Sequence, residues 1–254
     1  KMDYFNQVPI EIIIPFILFI GSIIYGTFGF GDALFAMPLL SMIIGVKMAA
    51  PLMTINGLTL SALMFFKHYK NIDWKITRKL LIASFIGVPA GIYFLKNGNE
   101  ELIKIVLGVV IISVSVYNLF IKNEIHAQKI PSYSVYFFCF LSGVLGGAFN
   151  SGGPSIVIFG TLSNWSPIQF ISNLQGYFMP NDIYILAGQH ISGILNKTIL
   201  YYYAISLPFV LLALAISSRI RNQIEEHKFN RYVHYLLLII GVLFLVKSIL
   251  FFQA

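Results

Sequence analysis

The sequence predicts an all-α polytopic membrane protein: two inverted repeats of about five helical segments each, with glycine-rich broken helices at mid-membrane. Three observations lead there. The 254-residue chain is 57% hydrophobic and only 11% charged, with a mean hydropathy of +0.81, whereas soluble domains carry roughly 25% charged residues. Runs such as 102–121 are long enough to cross a bilayer, which takes ~20 residues. Two glycine-rich breaks, GTFGFGDA (26–33) and GGAFNSGGP (146–154), also keep one register. Gly26 and Gly147, Phe28 and Phe149, and Gly31 and Gly152 all lie 121 residues apart.

In chain order, the first half offers apolar segments at 8–28, 33–44, 48–66, 80–95 and 102–121. The second half repeats the series at 135–149, 155–162, 168–187, 198–217 and 232–252. The polar connector KNEIHAQKIP (122–131) separates the halves, giving an N-terminal repeat over 1–125 and a C-terminal repeat over 126–254. The second segment of each half is too short to cross ~30 Å of hydrocarbon at 1.5 Å per residue. It is either a half-helix or is extended by loops. Asp32 reads as the N-cap of the first short helix. Pro154 reads as the first helical residue of the second, with Gly153 as its cap.

Basic residues set the orientation. Lys67, Lys70, Lys75, Arg78 and Lys79 crowd the connector after the third segment, while the corresponding connector of the second half carries only Lys197. The connector near Lys96 is sparse, and its counterpart holds Arg219, Arg221, Lys228 and Arg231. The bias swaps between halves, so the positive-inside rule predicts opposite orientations, with both termini outside. The net charge of +7 therefore serves topology, and nucleic acid is not an expected partner. The single cysteine, Cys139, cannot form an internal disulfide.

An unwound segment at membrane depth must be buried in protein or line a polar cavity, and paired breaks in two halves point to a transporter's substrate site. A helix N-terminus offers unpaired N–H groups and about half a positive charge. Two of them could hold a small oxyanion. The candidate binding residues are Thr27, Gly29, Phe30, Gly31 and Asp32 at the first break, and Asn150, Ser151, Gly152 and Gly153 at the second. Asn56, Thr54, Gln175 and Tyr177 on neighbouring segments complete the set. The plainer reading is that the glycines only permit close helix packing. Asp32 and Asp182 are candidates for proton coupling, because ionisable groups inside a membrane are functional by default. Against that stand a capping role for Asp32 and a helix-gluing role for Asn181 and Asp182. His68 and His190 read as interfacial, and Trp74 and Tyr201 to Tyr203 as aromatic anchors. Ser151 with His190 would make a hydrolase only if the fold brought them together. The sequence contains no metal-ligand cluster, zinc-protease motif or phosphate-binding loop.

Four stretches carry a family likeness: GFGDALFAMPLL (29–40), HYKNIDW (68–74), GAFNSGGPSIVIFGTLSNWSPIQF (147–170) and LQGYFMPNDIYILAG (174–188). The chain resembles the TauE/SafE sulfite-exporter family, also called the toluenesulfonate uptake permease family, over nearly its whole length. The resemblance implies a multi-pass transporter of the bacterial inner membrane rather than an enzyme, without a cofactor. It would move sulfite or small organosulfonates, usually outward. The implied partners are that sulfur oxyanion and the lipid bilayer, with a homo-oligomer left open. The family's glycine-rich break maps onto Gly29, Gly31, Gly152 and Gly153. Asp32 stands where the second copy has Gly153, so the two breaks differ chemically. The expected mechanism is alternating access or an elevator. The alternative is a cation channel or cation-coupled carrier using Asp32 and Asp182.

Overall fold

The computed structural model describes residues 9–117, 119, 134–163, 165–220, 238 and 242. Among them the chain is helical, with no strand: α1 (Ile10–Phe28), α2 (Asp32–Ile44), α3 (Val46–His68), a 3-10 turn (Tyr69–Asn71), α4 (Trp74–Asn97), α5 (Glu100–Val116), α6 (Ser134–Phe149), α7 (Gly153–Leu162), α8 (Pro167–Ile191) and α9 (Lys197–Ile220). The expected segment at 232–252 and the boundary between 125 and 126 lie outside the described residues. Helices α1, α3, α4 and α9 are long and apolar enough to cross a membrane. At 13 and 10 residues, α2 and α7 reach only about 20 and 15 Å. Both are half-helices by length.

Local chemistry moves some boundaries. Helix α4 begins at Trp74, not 80, because the Asp73 side chain accepts from the N–H groups of Lys75 and Ile76. Its first turns are the basic ones that a hydropathy window passes over. Helix α8 opens on a capping box between Ser166 and Gln169, with Pro167 at its start. Two helix starts shift by one residue from expectation. Gly31, at φ 100°, caps α2, so Asp32 is its first helical residue rather than its cap. Gly152 caps α7, so Pro154 is its second residue, still within the turn whose N–H groups lack intrahelical partners. In both cases a glycine makes the turn that the sequence reading gave to the next residue.

Packing follows small residues. Helices α4 and α6 share a crossing built on two Gly-xxx-Gly pairs, Gly87 with Gly91 and Gly143 with Gly147. A Cβ at Gly87, Gly91, Gly143 or Gly147 would fall 2.3, 2.1, 2.2 or 2.4 Å from a carbonyl oxygen of the facing helix. Backbones approach closely because nothing stands between them. Helix α1 lies along α9, and α3 along α8. Exchanging α1 for α6 and α4 for α9 turns the α4–α6 pair into the α9–α1 pair and leaves α3–α8 unchanged. That is the pattern two copies related by a twofold axis make. Ser61 Oγ donates to Asp182 Oδ2 at 3.0 Å, joining positions 121 apart in the chain.

Candidate functional site

Each break is an elbow whose turn the sequence prescribes. Helix α1 ends at Phe28, Gly29 takes φ 83°, and its N–H returns to Tyr25 O at 2.6 Å. Helix α6 ends at Phe149, and Asn150, 121 residues after Gly29, takes φ 53° with its N–H on Gly146 O at 2.8 Å. Glycine and asparagine tolerate the left-handed region best, so two different residues make the same turn.

The elbows meet. A Cβ on Gly153 would sit 3.6 Å from Phe30 Cβ of the other elbow and 3.4 Å from Phe178 Cζ on α8. Between them lies a cavity of about 30 Å³ lined by Tyr25, Phe30, Gly31, Asp32, Asn150 to Pro154, Tyr177, Asn181 and Asp182, among others. One water needs ~10–15 Å³ by the same measure. The chamber has room for a very small guest.

The expected residues divide by position. Phe30, Gly31, Asp32, Asn150, Ser151, Gly152, Gly153, Tyr177 and Asp182 line the cavity. Thr27, Gly29, Asn56 and Gln175 are not in its wall. The Thr27 hydroxyl donates to Ile23 O at 2.7 Å, and the Thr54 hydroxyl to Ala50 O at 3.0 Å, each within its own helix. Gln175 braces the first elbow from behind: its Nε2 donates to Gly29 O at 3.0 Å while its Oε1 accepts from Tyr25 Oη at 2.7 Å. Asn56 stands behind Asp32, with Nδ2 3.5 Å from Asp32 Oδ2.

The sequence assigns no role to Tyr25, Ser84 or Ser142, and it leaves Asn181 between the site and helix packing. Tyr25 and Asn181 line the cavity, and Ser84 and Ser142 complete a chain of hydroxyls. Tyr177 Oη lies 2.7 Å from Ser84 Oγ and 2.8 Å from Ser142 Oγ. Ser142 Oγ donates to Gly152 O at 2.7 Å, and Ser84 Oγ contacts Asn181 Oδ1 at 2.8 Å. Three hydroxyl protons cannot serve four contacts. With the Asn181 amide turned so that its NH2 donates to Ser84, the chain closes as Asn181 to Ser84 to Tyr177 to Ser142 to Gly152 O. This network ties α4, α6 and α8 to the second elbow. In the sequence these residues are isolated polar groups in apolar helices, and only the facing helix gives them a role.

The electrostatics are uneven. Asp32 and Asp182 are 4% and 5% exposed, and no lysine or arginine among the described residues lines the cavity. Asp182 accepts from Ser61 Oγ and, at 3.4 Å, from Asn150 Nδ2. Asp32 is the first residue of α2 and carries its carboxylate at the end of that helix, where the first N–H groups lack intrahelical partners. The start of α7 has no such side chain, and Gly153 and Ser155 turn their N–H groups to the end of that helix. Ser151, 2% exposed, donates to Phe149 O at 3.3 Å. His190 is exposed in the last turn of α8, twelve residues beyond Phe178, about 18 Å along the helix. The fold does not join Ser151 to His190.

A family profile described as "Sulfite exporter TauE/SafE" matches residues 13–244. No curated protein and no solved structure matches the chain.

Proposed function

Since the chain belongs to the TauE/SafE sulfite exporter family, whose members are transporters, we propose that it exports sulfite or a comparably small sulfur oxyanion across the bacterial inner membrane. The observation that carries this reading is the shared cavity: two elbows from two halves of the chain, meeting inside a membrane protein. The halves act as inverted repeats, and the cavity is the point that opens to either side.

The guest sits on one elbow rather than between two equal ones. The amides at the start of α7 bind the oxyanion, while the start of α2 carries the Asp32 carboxylate. Asn150, Ser151 and Tyr177 stand along the wall to replace lost hydration. An anion cannot share so small a space with two ionised carboxylates. At a separation of ~5 Å and an effective dielectric of ~20, each would cost about 3 kcal/mol. In this reading Asp32 or Asp182, or both, carry a proton when the anion is bound, and proton movement accompanies transport. Outward movement of each negative charge gains ~2.3 kcal/mol per 100 mV of inside-negative potential.

Counterflow in proteoliposomes tests the cargo. Sulfite should exchange and arylsulfonates should compete poorly, given the cavity's size; no competition by any sulfur oxyanion ends the proposal. The absence of a basic residue from the wall favours a second reading, a cation carrier in which Asp32 and Asp182 hold the ion. Asp32→Asn separates the two. The anion carrier keeps sulfite counterflow with a changed pH dependence, whereas the cation pathway loses conduction outright.

A further inference from the structure

A second opening lies away from the elbows, between the outer faces of α4 and α8. It is a groove of about 590 Å³, in the range of sites that take drug-sized ligands. Val88 and Ile92, both buried, make its floor, and Ala187 and Ile191 stand exposed along its rim. The rings of Phe85 and Tyr184, 4.5 Å apart, pack beside one end. The other end reaches the C-termini of both helices, where Lys96, Asn97 and Ser192 join the lining.

That end is basic. Lys47 Nζ donates to Lys96 O at 3.1 Å, so a second ammonium stands beside Lys96. The nearby acids, Glu100 and Glu101, share one ammonium, Lys104, at 3.3 and 3.0 Å, so this end keeps a single net positive charge. Among the described residues no acidic side chain lines the groove. An apolar floor running to a mouth with two lysines is complementary to one molecule available to any membrane protein.

We propose that this groove is a binding site for an anionic phospholipid. One acyl chain lies along Val88 and Ile92, and the headgroup phosphate meets Lys96 and Lys47. The proposal needs only that the chain spans a membrane and is independent of the cargo.

Native mass spectrometry of the full chain in detergent tests it, with phosphatidylglycerol and phosphatidylcholine as probes. A positive charge near a lipid surface contributes about fivefold in affinity. The wild-type chain should retain one phosphatidylglycerol at about fivefold lower lipid concentration than phosphatidylcholine. Lys47→Gln with Lys96→Gln should remove that preference, and Ala187→Trp, which fills the groove, should remove the adduct of both lipids. If Ala187→Trp is not monodisperse, Ile191→Trp, at a position 85% exposed, makes the same test. Equal retention of the two lipids by the wild-type chain, or an undiminished adduct in the filled variant, overturns the proposal. So does displacement of the lipid by millimolar inorganic phosphate, which would make this a free-phosphate site.

Discussion

Asn150 does two jobs with one side chain. Its backbone holds the left-handed turn of the second elbow at φ 53°, and its amide reaches Asp182. The two can be separated by substitution. Asn150→Gly keeps the turn and removes the side-chain bond, whereas Asn150→Ala keeps a Cβ in the left-handed region without the polar side chain that lets asparagine tolerate it, at a cost of about 1 kcal/mol. Thermal unfolding in detergent should therefore rank the glycine variant above the alanine variant, while sulfite counterflow falls in both. If alanine is as stable as glycine, the turn is not what Asn150 contributes. The elbow glycines and Asp32 were legible in the sequence because a charge or a glycine run inside an apolar stretch has few other uses. Tyr25, Ser84 and Ser142 were not, because a lone hydroxyl on a helix reads equally well as glue, and the Asn181 amide left both readings open. Thr27 and Thr54 show the converse, since both bond their own helix.

Among the elements, the α4–α6 pair is the tightest joint, and it abuts the second elbow through Ser142 and Gly152. Gly91→Ala would place a methyl 2.1 Å from Val144 O, and backbone on both sides leaves nothing flexible to yield. A cost at the upper end of the 1–3 kcal/mol range for overpacking is expected. Gly193→Ala is the comparison: its φ is 74°, but nothing lies within 4 Å of the added carbon, so only about 1 kcal/mol of backbone strain applies. Thermal stability should fall clearly further for Gly91→Ala, and sulfite uptake with it. Equal losses would mean that the helices part easily, against the joint described. The spacing of Gly87 with Gly91 and of Gly143 with Gly147 is plain in the sequence. That these two pairs face each other is not.

For the whole molecule, the inversion of the two halves makes a claim about sides. Lys70, Lys197 and Arg219 are all exposed, and Cys139 is buried and is the sole cysteine. In a Cys139→Ser background, single cysteines at Lys70 and Arg219 should react with an impermeant maleimide from the cytoplasmic side. A cysteine at Lys197 should react from the opposite side. Labelling of Lys70→Cys and Lys197→Cys from one side would remove the inverted arrangement, and with it the account of a cavity reached alternately from two faces. The charge swap between connectors predicts this topology, and the labelling decides it.

The sequence by itself determined what depends on composition and on order along the chain. Apolar runs make the spans, their lengths separate half-helices from full ones, glycines mark the elbows, and a common offset of 121 ties the two halves together. Only the tertiary structure decided which polar groups look into the cavity, that Gln175 and Asn56 stand behind it, and that Asp32 and Asp182 share its wall. The reason is geometric. The rotation of a helix about its own axis, and the rotamers of its buried side chains, are set by partners more than a hundred residues away, and no local pattern encodes them.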